Sequence, residues 1–202
     1  MSFPNPSSNH GPGTLPRARL LGIAGSILLL VGWTPAPGAI ASIVGFLLIL
    51  LAVRDVARAT GDEAAYRNML YFVILAIIGA VAITFVIFVA MSAMFGAFAP
   101  FFEMQQVPTF AEFANAFLVT FVGLVLVWAI YLVSAVFLWW SFKRMASTIG
   151  VDMFRTAALL FLIGAGLTIV LVGFIVIFVA EVLMIIAFAS IPDPPPSLPQ
   201  SG

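Results

Sequence analysis

Apolar residues fill this chain in long blocks, interrupted by short polar or proline-bearing stretches, and the block lengths predict its elements. A helix crosses about 30 Å of hydrocarbon with about 20 apolar residues. Six blocks qualify as candidates. The first is short, Leu20 to Trp33, with Thr14 as a cap and Pro16 in its first turn. TPAPG turns the chain and Ala39 to Val53 returns it. Gly61 is a helix stop, and T60-G-D-E63 matches the capping-box pattern ahead of a third helix running from about Tyr66 past Ala90. The fourth helix runs from near Phe110 to around Lys143. Gly150 closes it, and Asp152 is placed to cap the fifth, as Asp62 and Glu63 are for the third.

The last block, Met153 to Ser190, would be roughly 57 Å long as one helix at about 1.5 Å per residue, nearly twice the bilayer core. A break near Gly173 divides it into a fifth and a sixth span. An internal match points the same way. LGIAGSILLLVG (21–32) aligns without gaps on LIGAGLTIVLVG (162–173), sharing Leu, Ala, Gly, Leu, Val and Gly, as a duplicated hairpin or a chance likeness would.

Charge sets the orientation. With six spans, Arg17, Arg19, Arg54, Arg58, Arg67, Lys143, Arg144 and Arg155 all face one side, and the opposite loops, TPAPG and PFFEMQQVPTFAEF, carry no basic residue. That asymmetry predicts both termini in the cytoplasm of a multi-pass cell-membrane protein. If either hairpin is re-entrant, four or five crossings remain with the same charge distribution. The outer connection from Met91 to Thr120 is rich in phenylalanine and interrupted by Pro100 and Pro108. Its rings read as headgroup anchors on helix extensions, or as a lid or docking surface.

Composition narrows the functions. Of 202 residues, 63% are hydrophobic and 8% charged, which only a lipid environment accommodates. Net charge is zero and the basic residues are scattered over loops, which argues against nucleic acid. There is no cysteine, and the one histidine, His10, lies in the polar segment MSFPNPSSNHGPGTLP. Neither thiolate nor histidine ligation of a metal or haem is therefore expected in the membrane, and no cofactor. The expected organisation is an N-terminal tail over 1–16, a helical domain over 17–191 and a Pro-rich tail over 192–202. Arg17 and Arg19, the following apolar run and Ala39-Ile40-Ala41 mimic a signal peptide. Two prolines before the site and the apolar run after it make retention the expectation.

One carboxylate interrupts the last block, Glu181 in GFIVIFVAEVLMIIAFASI. Charged groups at that depth cost at least about 2.5–3.5 kcal/mol on insertion scales and face the bundle interior. Its helical neighbours offer no partner. By depth, Tyr131 and Ser134 of the fourth helix are the best suppliers, with Trp128 one turn away and Thr84 and Thr168 less central. Two readings follow: a protonatable site for proton-coupled transport or cation binding, or a hydrogen bond that holds two helices together. Arg67 and Arg155, each one turn into a helix entering from the cytoplasm, are candidates for an anionic headgroup or simply snorkel to the interface. Trp33, Trp139 and Trp140 fit interfacial belts. Small residues four apart (Gly22/Ser26, Ala41/Gly45, Ala76/Ala80) permit close helix approach.

The stretches GDEAAYRNMLYFVI and LVSAVFLWWSFKRMASTIGVDMFRTAALLFLIGAGLTIVLVGFIVIFVAEVLMIIAFASI resemble domain-of-unknown-function family 996 of archaeal and bacterial membrane proteins, from roughly Leu20 to Ile191. The most specific elements are G61-D-E-A-A-Y-R67 and F154-R-T-A. The resemblance implies a polytopic membrane protein and supplies no catalytic residues. Hydrolysis inside the membrane would need paired acids, a Ser with His, or a metal site. No enzyme is expected, therefore. The sequence favours an all-α helix bundle with a structural or accessory role, associating with itself or a larger membrane complex. The alternative is a small proton- or cation-coupled transporter using Glu181.

Overall fold

A computed structural model describes residues 14–34, 38–102 and 109–192. Most of the two expected tails, the middle of the first turn and residues 103–108 with Pro108 lie outside the described residues. All described elements are helical: α1 (Thr14–Val31), α2 (Gly38–Thr60), α3 (Glu63–Phe102), α4 (Phe110–Ile149), α5 (Met153–Leu167) and α6 (Val172–Ala189), with a 3₁₀ turn at Thr168–Val170. Five of them, counting the 3₁₀ turn with α5, are long and apolar enough to cross a membrane. The exception is α1. Arg17 and Arg19 occupy its first turns, leaving an apolar part of about 18 Å, well short of the hydrocarbon core.

The last block does fold back near its glycine, with the reversal two residues earlier. Helix α5 ends at Leu167 and tightens into the 3₁₀ turn, and Leu171 takes the left-handed conformation (φ 61°) that reverses the chain. Gly173 is already inside α6. A Cβ there would run into the backbone of Gly164, so this glycine permits contact between the two helices. The first hairpin uses the same device, since a Cβ on Gly25 would fall 2.8 Å from the carbonyl oxygen of Gly45. The hairpins α1–α2 and α5–α6 meet along α1 and α6.

Helix ends follow their punctuation with two corrections. Gly61 (φ 75°) and Gly150 (φ 73°) stop α2 and α4 as left-handed residues, which glycine adopts without a Cβ clash. Asp62 Oδ1 accepts the Ala65 amide at 3.3 Å and caps α3. Thr60 is not the cap, because its hydroxyl turns back to the Val56 carbonyl of α2. Asp152 stands at the N-cap of α5 but makes no side-chain capping bond. Helices α3 and α4 are also longer than their apolar blocks suggested, 40 residues each. That is about 60 Å at 1.5 Å per residue. Helix α3 runs through Pro100 and stops two residues later. So near the C-terminus the proline removes a single backbone bond and the helix tolerates it.

The chain divides into two compact units. One takes in residues up to Val73 and from Ser134 onward. Its core is aromatic and aliphatic. Phe142, Phe154 and Phe188 meet edge to face with centroids 4.9–6.0 Å apart, and Phe72 bridges Phe46 and Phe161 in the same way. Two serines of α4 bond to α3 backbone, Ser141 Oγ to the Ala65 carbonyl at 2.8 Å and Ser134 Oγ to that of Phe72 at 3.1 Å. The other unit is Ile74–Val133, the remainder of α3 and α4. Among its described residues only Gly79 is buried, and Val81, Phe85, Phe88 and Phe117 are each about two-thirds exposed. The hydroxyls of Thr84 and Thr120 turn inward on their own helices, to Ala80 and Ala116, each at 2.8 Å. A surface with apolar side chains and self-satisfied hydroxyls is one that hydrocarbon solvates.

Candidate functional site

Glu181 lies in the middle of α6 and only 6% of it is exposed. Trp33, just beyond the end of α1, donates its indole N–H to Glu181 Oε2 at 2.8 Å. The same indole meets Phe174 and Phe178 edge-on, with centroids 5.7 and 6.3 Å away. These two rings stand on the α6 turns before Glu181, so the indole lies along the helix and its nitrogen reaches the carboxylate. Antiparallel packing sets this register. Further along the same pair of helices, Gly22 of α1 lies under the Phe188 ring, where a Cβ would clash.

Of the partners suggested by depth, the hydroxyls of Ser134, Thr84 and Thr168 donate elsewhere. Ser134 is fully buried, but its single hydroxyl hydrogen is committed to the Phe72 carbonyl. Tyr131 and Trp128 belong to the Ile74–Val133 unit, and Thr84 and Thr168 bond to their own helices. The sequence suggested an interfacial belt for Trp33, and the structure adds its bond to Glu181. One pointer to its contact was present. Trp33 directly follows the internal match, and its counterpart there is Phe174, the ring it touches.

A second arrangement occupies the charged ends of the helices. Arg17 of α1 stands 3.5 Å from Asp55 of α2, close enough for charge pairing but without hydrogen-bond alignment, since Asp55 Oδ2 has no hydrogen-bond donor. Arg144 of α4 pairs at 3.6 Å with Asp62. Between the last turns of α4, the first turn of α5 and α3 lies an open cleft of about 560 Å³. Asn68, Trp140, Lys143, Arg144, Ser147, Asp152 and Arg155 line it. Lys143 Nζ rests 5.1 Å from the centre of the Trp139 ring. Of the two arginines singled out by sequence, Arg155 is on the cleft wall. Arg67 is exposed and outside its lining. No group of three His, Cys, Asp or Glu side chains suited to a metal occurs among the described residues.

Residues 41–182 match the family described as protein of unknown function DUF996. The chain belongs to this family. The match starts later than the resemblance quoted above, and it includes Glu181 but not Trp33. An uncharacterized protein of the archaeon Methanocaldococcus jannaschii is 33% identical over 180 residues, covering 89% of this chain and 94% of the relative. No solved structure matches the chain. Membership in the family adds no activity to the helical, membrane-compatible fold.

Proposed function

We propose that this protein is a structural or accessory component of the cell membrane, non-catalytic, with both termini in the cytoplasm, that associates with itself or a larger membrane complex. The bond from Trp33 to Glu181 carries this reading. An indole N–H donates but cannot accept, so it can hold a carboxyl group but cannot pass a proton onward. A relay needs a chain of ionisable groups. Within the apolar parts of α1, α2, α5 and α6 the described residues supply no second acid, base or histidine. The enclosure by Phe174 and Phe178 suits a fastening between α1 and α6. In such a role the polar pair fixes which faces of two apolar rods meet, because any other register leaves a polar group in hydrocarbon.

Reconstitution in proteoliposomes tests it. Under pH or cation gradients the protein should give no flux above that of empty vesicles, and Glu181→Gln, which keeps an acceptor for the indole, should assemble like the parent. A gradient-driven flux that disappears in Glu181→Gln would replace this reading with transport.

A further inference from the structure

We propose that the cleft between α4 and α5 binds a singly charged phosphate diester or a comparable phosphate anion, through Lys143, Arg144 and Arg155. The inference is independent of the role of Glu181. Three cationic side chains from two helices line one concavity. Asp152 in the wall and Asp62 behind Arg144 offset two of them, so three positive charges less two negative leaves about one in excess. One excess charge matches a phosphodiester and falls short of what a polyanion such as nucleic acid recruits.

The three cations are differently engaged. Arg144 is tied to Asp62, and Lys143 lies on the Trp139 ring, which orients the ammonium without neutralising it. Arg155 has no ion pair among the described residues. Its planar fork is the group left to grip two phosphate oxygens. A further contribution comes from the start of α5. The Asp152 carboxylate does not cap it and the Phe154 amide goes to the Val151 carbonyl, so the Met153 and Arg155 amides are the first-turn donors without a side-chain cap, and α5 is a full-length helix of 15 residues. Asn68 adds an amide donor on the opposite wall.

The anion has two natural sources, a lipid headgroup and free phosphate. Trp140, 45% exposed on the wall and edge-on to Phe137, offers an apolar rim of the kind that accompanies headgroups. The volume of about 560 Å³ accommodates a headgroup or a smaller anion alike.

The experiment follows the unfolding temperature of the full chain in a neutral detergent. It is titrated with dihexanoyl phosphatidylglycerol, dihexanoyl phosphatidylcholine or inorganic phosphate. The expected result is saturable stabilisation by the anionic lipid and little by the zwitterionic one. Arg155→Gln and Lys143→Gln should each weaken the response about five- to tenfold, and Arg155→Lys, which keeps the charge but loses the fork, should fall between Arg155→Gln and the parent. Arg58→Gln, an exposed cation at the same end but off the cleft, should change nothing. Stabilisation by inorganic phosphate equal to that by the lipid assigns the site to free phosphate, and a much weaker one assigns it to headgroups. The proposal is overturned if no anion stabilises, or if Arg58→Gln weakens the response as much as Arg155→Gln does, which would mark diffuse surface charge.

Discussion

A buried carboxyl group that has one donor is a sensitive reporter of its own role. Removing the indole by Trp33→Phe leaves Glu181 Oε2 enclosed without a partner, at a cost of about 1–3 kcal/mol. Glu181→Leu removes the acceptor and leaves an indole that is 43% exposed and can turn to an interfacial partner, so its cost should be smaller. The double variant Trp33→Phe/Glu181→Leu should cost less than the two singles added together. The difference is the coupling between them, about 0.6–2 kcal/mol for hydrogen bonds between membrane helices. Reversible unfolding in mixed micelles measures all four corners, and strictly additive costs would show that the contact stabilises nothing. Ser134→Ala is the contrasting case. The Phe72 carbonyl already accepts within α3, so losing the hydroxyl should cost no more than about 1 kcal/mol and leave the Trp33–Glu181 coupling unchanged.

At the scale of elements, the two hairpins depend on backbone approach, and this separates what the sequence made readable from what it hid. Gly61 and Gly150 were legible as stops because each follows an apolar block and precedes an acidic cap position, where only a left-handed residue ends the helix well. The break near Gly173, read from block length and the internal match, falls two residues earlier, and the glycine itself serves close packing. The reversal went to Leu171, whose side chain gives no local sign of a positive φ. That residue is 72% exposed, so little packing holds it there. Leu171→Gly should relieve about 1–2 kcal/mol of left-handed strain, against about 0.5–1 kcal/mol of added chain entropy, for a net gain of up to about 1.5 kcal/mol in the same unfolding assay. Gly25→Leu should do the opposite. With the Gly45 carbonyl 2.8 Å from the first added carbon, α1 and α2 must separate, and a loss of about 1–3 kcal/mol is expected. The outer end of α3 was less readable still. Its surface is apolar on all sides, so no stripe marks where a span gives way to an extension.

Across the whole chain, class and membrane character were legible from block length and composition, since hydrocarbon admits so few alternatives to helices. The Trp33–Glu181 pairing was not, because it depends on how deep α1 reaches beside α6, a register that apolar blocks do not encode. That depth has a topological consequence. Trp33 packs on Phe174 and Phe178, so the end of α1 stands one to two turns of α6 short of Val172, where α6 begins. The end of α1 therefore lies deeper than the start of α6. The absence of cysteine makes this measurable with single introduced thiols. Thr34→Cys, Val172→Cys and Thr148→Cys are all at exposed positions, so modest side-chain changes there should leave the fold intact. With an impermeant maleimide applied to intact cells, Val172→Cys should label readily, Thr34→Cys slowly, and Thr148→Cys only after the membrane is opened. The Thr148 result follows from the basic residues gathered at the ends of α2 and α4 and the starts of α1, α3 and α5. Equal rates at Thr34 and Val172 would mean that both turns reach the same water, and external labelling of Thr148→Cys would reverse the orientation altogether.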